Sequence, residues 1–140
     1  MSTQQPVRGH VDTNLRSPLR RVIHLGSAKD GVNHWWSQRV SAVALIFLAL
    51  WFLGALITTA DFSYEGVTIW IAKQVNSVLL ILFLLTAIYH SKLGVQVVIE
   101  DYVSHPGAKI VTMLLINFAH AIAAALSVFA VLRIAFGGVA

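Results

Sequence analysis

The stretch VSAVALIFLALWFLGALI, Val40 to Ile57, is an uninterrupted uncharged run that decides the fold. Arg39 precedes it, and Asp61 is the next charged residue after it. With its flanks, the run is long enough for a helix of about 20 residues, the length that crosses the hydrocarbon core of a bilayer. Trp35 and Trp36 lie just before the run and suit the aromatic belt at a membrane interface. We therefore predict a first transmembrane helix here.

Two further apolar segments predict two more spanning helices. One runs from about Trp70 to Ile99 and the other from Ile110 to Leu132. At 30 residues and about 1.5 Å per residue, the Trp70–Ile99 segment would reach about 45 Å, so one end should protrude or tilt. Only helices or closed barrels satisfy the backbone in lipid. The predicted fold class is an all-α integral membrane protein with three transmembrane helices, over about residues 35–59, 68–99 and 108–134.

The composition agrees with a membrane protein and limits its chemistry. Of the 140 residues, 57% are hydrophobic and only 11% are charged, whereas a soluble domain has about 25% charged residues. The length indicates one domain. The absence of cysteine excludes a disulfide framework, a cysteine-ligated iron–sulfur cluster and covalent c-type haem. Any redox centre held by this chain must therefore use histidine.

The basic residues are concentrated near the N-terminus. Six of the ten lysines and arginines lie at or before position 39: Arg8, Arg16, Arg20, Arg21, Lys29 and Arg39. Such a cluster orients membrane proteins with the basic side in the cytoplasm, and it does not indicate nucleic-acid binding here. We predict a cytoplasmic N-terminal tail over residues 1–33 and a three-helix membrane-anchor domain over residues 34–136. Three spans then place the C-terminus on the opposite side.

The second predicted span carries a histidine in a distinctive setting. Ionisable groups inside a membrane are expensive and usually face a bundle interior, a cofactor or a cavity. At 100° per residue, His90, Gly94, Val97 and Asp101 form one stripe. A glycine one turn from a histidine leaves room for a flat porphyrin, and imidazole is the usual axial ligand of b-type haem. The same pattern fits a histidine bonded to a neighbouring helix, with Gly94 allowing close packing.

A second histidine, His120, lies in the third predicted span. The second and third helices should be antiparallel, and His90 and His120 lie at equal distances from the loop between them, so they should share one depth. One haem clamped by both would make a stand-alone b-type cytochrome. A polar contact between helices, with Asn117 on the same face, is the alternative.

Three residues near the predicted membrane boundary also carry chemistry. Arg39 could pair with a haem propionate or with Asp101, or could simply anchor the helix on its basic side. The phenol of Tyr102 can donate a hydrogen bond to a quinone carbonyl, and the Asp101 carboxylate can orient donors or relay protons. The alternative for Tyr102 is a helix-end residue of the aromatic belt.

These motifs resemble the hydrophobic membrane anchor of succinate dehydrogenase, one of the two small membrane subunits of that enzyme. The residues that carry the resemblance in the second span are His90-x3-Gly94, Gln96 and Asp101-Tyr102. The start of the first span, HWWSQRVSAVAL from His34 to Leu45, is also similar to alphaproteobacterial members. Together with the three-helix layout, the resemblance covers most of residues 20–136.

The resemblance implies a specific architecture and site. The chain would be half of a heterodimeric cytochrome b helical bundle, formed with a sister anchor subunit in a bacterial inner membrane. His90 would be its axial ligand to haem b, the sister anchor would supply the second ligand, and Gly94 and Arg39 would lie near the haem. Tyr102 would bind ubiquinone, with Asp101 beside it. The C-terminus would be periplasmic.

The resemblance also implies partners and a role in electron transport. Flavoprotein and iron–sulfur subunits would dock on the cytoplasmic face, and lipids would surround the helices. The chain has no flavin fingerprint and no cluster ligands, so we expect no enzyme activity from it alone. It would anchor respiratory complex II and help to pass electrons from succinate to ubiquinone. The stand-alone cytochrome and a haem-free structural anchor are the alternatives.

Overall fold

A computed structural model describes residues 28–137 of the chain. The described elements are all helices: α1 (Ala28–Thr58), α2 (Tyr64–Ala72), α3 (Gln74–Tyr102) and α4 (Pro106–Gly137). Most of the predicted cytoplasmic tail, residues 1–27, lies outside the described residues. The last part of that predicted tail is not a loop, because α1 already begins at Ala28.

Three of these helices have the length and apolar composition needed to cross a membrane, over Gly31–Thr58, Gln74–Tyr102 and Pro106–Gly137. The predicted fold class is therefore confirmed. All three stretches extend beyond the roughly 20 residues that a bilayer core needs. Helices α1 and α4, at 31 and 32 residues, are longer than the spans predicted for them, whereas α3, at 29 residues, is shorter than the predicted span over residues 68–99.

The second predicted span differs from the structure, because its first residues belong to a separate short helix. Helix α2 ends at Ala72, and Lys73 is extended, with φ −65° and ψ 123°. The carbonyl of Trp70 accepts from the Lys73 amide and from the Asn76 side chain, at 3.4 and 2.8 Å. When a side chain donates to a backbone carbonyl, that carbonyl no longer needs the helical bond from the amide four residues later, so the helix can end there. The break at Lys73 therefore divides the long apolar segment between α2 and α3.

The start of α2 is fixed by a chain of short hydrogen bonds. Ser63 is the N-cap, and its hydroxyl accepts from the amide of Gly66 at 3.1 Å. Asp61 accepts from the Ser63 amide and hydroxyl, each at 2.8 Å. These two bonds stabilise the charged carboxylate and hold the pKa of Asp61 below its ordinary value. A Cβ on Gly66 would come within 2.7 Å of the Asp61 carbonyl oxygen, so this turn requires glycine.

The lowered pKa predicts how this cap responds to acid. A carboxyl group whose folded pKa is depressed contributes stability above its unfolded pKa and loses it as pH falls through the folded pKa. The Ser63 amide resonance, followed by NMR in nanodiscs, should therefore titrate below 3.8, the ordinary value for Asp61. Asp61→Asn has no proton to gain and should show no step. A midpoint at or above the ordinary value would contradict the cap.

The loop between α3 and α4 is only three residues long, Val103 to His105. The amide of Ala108 donates to the His105 ring at 3.5 Å, as at a helix N-terminus. Pro106 is the first residue of α4, a position where a missing N–H and a preset φ are favourable. Pro106 and Gly107 lie between the second and third predicted spans, but in the structure they are the first two residues of α4.

Helices α3 and α4 pack along each other, and α2 contacts both. Helix α1 joins them through stacked aromatic pairs, Trp51 with Trp70 and Phe52 with Phe83, whose ring centroids are 5.9 and 5.1 Å apart. The described residues from Asn33 onward belong to one compact unit. Only three apolar side chains in the described part are buried: Leu93, Ile99 and Val131. The apolar helix faces are left open to lipid or to another protein chain.

Candidate haem and quinone site

His90 is half-buried on α3 and faces α1. Its Nδ1 lies 2.9 Å from the hydroxyl oxygen of Ser41, a residue 49 positions earlier in the chain. Ser41 is only 6% exposed, and its hydroxyl also donates to the carbonyl of Gln38 at 3.1 Å. The predicted histidine is therefore bonded between two spanning helices.

The two bonds of Ser41 determine which ring nitrogen of His90 carries the proton. A hydroxyl has a single proton, and the carbonyl of Gln38 can only accept, so that proton goes to Gln38. Ser41 must then accept from Nδ1–H of His90. The other nitrogen, Nε2, is left unprotonated with a lone pair available. This is the form of histidine that binds a metal ion.

Gly94 lies one turn further along the same face of α3. A Cβ built there would have one neighbour within 4 Å, the side-chain amide nitrogen of Gln38 at 3.8 Å. That distance is an ordinary contact, so the packing of this chain alone does not require glycine. The stripe predicted from the sequence thus faces the N-terminal part of α1 at both His90 and Gly94. No other side chain of the described residues lies within 4 Å of that Cβ position.

His120 lies opposite Ser91, the residue that follows His90, and has different partners from His90. Its Nδ1 donates to the carbonyl of Ile116 at 2.8 Å, and its Nε2 lies 3.5 Å from the hydroxyl of Ser91 on α3. His90 is directed instead to Ser41 on α1. The two rings are engaged by separate partners, and the contact of His120 is the polar interhelical contact that the sequence left as the alternative.

Two residues near the N-terminal end of α1 add charge and polarity. The guanidinium of Arg39 lies over the ring of Trp35, 5.5 Å from its centroid. No ion pair between Arg39 and Asp101 is found in the described part of the chain. The Nε2 of His34, a residue to which the sequence pattern assigned no role, is buried without a hydrogen-bond partner among residues 28–137. Such a group is costly unless a group from elsewhere bonds it.

Asp101 and Tyr102 are the last two residues of α3 and both are exposed. Tyr102 is 82% exposed. The ammonium of Lys109 donates to the carbonyl of Glu100 at 2.7 Å, which satisfies a free carbonyl at the end of α3. The short loop and this bond fix the helix end. The phenol of Tyr102 is therefore presented on a rigid element and remains open to an external acceptor.

The donor set of this chain fits one half of a haem site. His90 offers an unprotonated Nε2, Gly94 adds no side chain one turn away from it, and Arg39 is a cation on the facing helix. Among the described residues no group of three or more histidine, cysteine or acidic side chains could enclose a metal ion. His90 is therefore the candidate axial ligand of this site.

This fold and site define a polytopic α-helical membrane protein with a histidine held between two of its spanning helices. The family described as succinate dehydrogenase/fumarate reductase transmembrane subunit matches residues 13–132. Because the match covers most of the chain, the chain belongs to this family. The resemblance seen in the sequence is confirmed.

Individual relatives agree with this membership. The chain is 37% identical to a succinate dehydrogenase hydrophobic membrane anchor subunit of Rickettsia bellii over 92 residues, 65% of this chain and 73% of the relative. It is 28% identical to the protein of the same name from Paracoccus denitrificans over 123 residues, 88% of this chain and 95% of the relative. A succinate dehydrogenase membrane anchor subunit of Reclinomonas americana is 27% identical over 100 residues, 69% of this chain and 83% of the relative.

Proposed function

We propose that this chain anchors a succinate:quinone oxidoreductase to a bacterial inner membrane, shares haem b with a sister anchor subunit, and forms one wall of the ubiquinone site. The observation that carries the haem assignment is the 2.9 Å contact between the Ser41 hydroxyl and Nδ1 of His90. Because Ser41 donates to the carbonyl of Gln38, we infer that Nδ1 donates to Ser41 and that Nε2 is available. When bound, the haem supplies a one-electron redox centre within the bilayer.

The need for a sister anchor follows from burial and from the ligand count. The large apolar side chains on the spanning helices are mostly exposed, and Val131 is the only buried apolar residue of α4. A second helical chain covers such faces through close van der Waals packing. On α3 the candidate ligand is His90, one turn from Gly94. The sister anchor would complete both the bundle and the ligand set.

The quinone assignment rests on the end of α3. Reduction of a quinone to a quinol takes up two electrons and two protons. The Tyr102 phenol can donate a hydrogen bond to a quinone carbonyl, and Asp101 can orient donors or relay a proton beside it. Both residues are exposed in this chain, as a surface that meets an iron–sulfur subunit requires. The chain supplies binding and positioning, while the flavoprotein and iron–sulfur subunits supply the electrons from succinate.

The orientation follows from the distribution of charge. Basic residues lie before the first span, whereas the connection between α1 and α2 carries Asp61 and no lysine or arginine. By the positive-inside rule the N-terminus is cytoplasmic. Three spans then place the α3–α4 loop and the adjacent end of α3, with Asp101 and Tyr102, on the cytoplasmic side and the C-terminus in the periplasm. The soluble subunits would dock on the cytoplasmic side.

Co-expression tests the proposal directly. The chain should be purified from membranes with and without the sister anchor, in the presence of the soluble subunits, and reduced-minus-oxidised spectra recorded. We expect a haem b α-band only when the sister anchor is present, because this chain offers a single ligand on the haem face. An α-band from the chain alone would support the stand-alone cytochrome. A complete, active complex with no α-band would support the haem-free anchor.

A further inference from the structure

We propose that Ser41 is a positioning residue for the haem, because its hydroxyl holds the His90 ring in the orientation and tautomer in which Nε2 can bind iron. This inference rests on the proposed function, which makes His90 the axial ligand. It adds a residue of α1 to a site whose other contributions come mainly from α3.

The hydrogen bonds give Ser41 only one consistent arrangement. Its oxygen is 3.1 Å from the Gln38 carbonyl oxygen and 2.9 Å from Nδ1 of His90. If the hydroxyl donated to His90 instead, two oxygen acceptors would face each other without a proton between them. Donation to Gln38 satisfies both contacts. The bond to a carbonyl three residues earlier also fixes the Ser41 rotamer.

Burial makes this arrangement effective. Ser41 is 6% exposed and is the only polar side chain in the run from Val40 to Ile57. Water has little access to its hydroxyl, so no solvent molecule readily replaces the bond to His90. A buried polar group that loses its partner is disfavoured because its desolvation is no longer compensated. Water therefore does not readily replace Ser41 as the hydrogen-bond partner of the His90 ring.

The bond has a chemical consequence for any metal on the other nitrogen. A ligating histidine commonly donates its second N–H to an acceptor, which fixes the ring and raises its basicity as a ligand. A more basic imidazole stabilises ferric iron relative to ferrous iron. Ser41 should therefore increase haem retention and lower the reduction potential of the haem. A serine with only a packing role would change neither.

The test is a series of variants in the complete complex of both anchors and both soluble subunits, read by haem content per flavin and by the haem midpoint potential. Ser41→Ala removes the acceptor, while Ser41→Thr keeps it. Ser41→Cys keeps a side chain of similar size but a weak acceptor. Ser77→Ala is a matched control, because Ser77 is equally buried at 6% and also bonds backbone carbonyls, those of Lys73 and Gln74.

We expect Ser41→Ala to raise the midpoint potential and to weaken haem binding about tenfold, the lower end of what such partners contribute. Ser41→Thr and Ser77→Ala should match the wild type. Ser41→Cys should lie between, which keeps the test decisive if Ser41→Ala does not assemble. Unchanged potentials in both the alanine and cysteine variants, or an equal shift in Ser77→Ala, would overturn the assignment. Haem that persists in His90→Ala would instead refute the proposed ligand.

Discussion

Replacing His90 by alanine is expected to remove the haem b α-band from the assembled complex. The methyl side chain has no nitrogen to offer iron, and His120 on α4 bonds to other partners, Ile116 and Ser91. The variant should still fold, since the only hydrogen bond it loses is that to Ser41. Interhelical bonds of this kind contribute about 0.6 kcal/mol on average in a membrane protein.

His120→Ala is the matched control for this experiment. It removes an imidazole at the same depth, and it also removes a single contact between helices, that to Ser91. The α-band should survive in this variant. Loss of the band in His120→Ala together with its survival in His90→Ala would reverse the assignment. Loss in both variants would support a haem clamped within this chain. Dye reduction by the soluble subunits that remain attached to the membrane reports assembly in each case.

The sequence predicts the spanning helices and the ligand stripe because both depend on local spacing. A long uncharged run needs a helix in lipid wherever it occurs. His90 and Gly94 are one turn apart, and the helical repeat alone puts them on one face. The family resemblance was needed to give Tyr102 and Asp101 roles, since an exposed tyrosine at a helix end is common in membrane proteins.

Ser41 could not be identified from the sequence because its importance depends on how two distant helices are aligned. Its partner His90 is 49 residues away, and no local periodicity fixes the offset between α1 and α3. A signal was present, because Ser41 is the only polar residue in the run that decides the fold. A hydroxyl in such a run needs a hydrogen-bond partner, but a backbone carbonyl of the same helix can serve as that partner. The sequence therefore provides no reason to expect a bond to another helix.

The break at Lys73 could not be predicted for a related reason. The segment from Trp70 to Ile99 is apolar enough to continue as one helix. What ends α2 is competition for one carbonyl, that of Trp70, which accepts from the Asn76 side chain. Such competition depends on side-chain conformation, and composition alone does not reveal it. The outcome matters for the site because it sets where α3 begins.

Replacing Tyr102 by phenylalanine is expected to lower quinone reduction while leaving dye reduction unchanged. The substitution removes one hydroxyl from a side chain that is 82% exposed at the end of α3, so the fold loses nothing. A hydrogen bond contributes about 0.5–1.5 kcal/mol net. Since about 1.36 kcal/mol corresponds to a tenfold change in rate, kcat/KM for ubiquinone should fall by up to about tenfold.

A second tyrosine on the same helix provides the control for this prediction. Tyr89 is 47% exposed and lies within the apolar part of α3, away from the end that carries Asp101. Tyr89→Phe should leave both activities unchanged. If Tyr102→Phe lowers quinone and dye reduction equally, the residue supports assembly of the complex. If it changes neither, Tyr102 is an interfacial aromatic anchor. Only a selective loss of quinone reduction places its phenol at the quinone, because dyes accept electrons from the soluble subunits without entering that pocket.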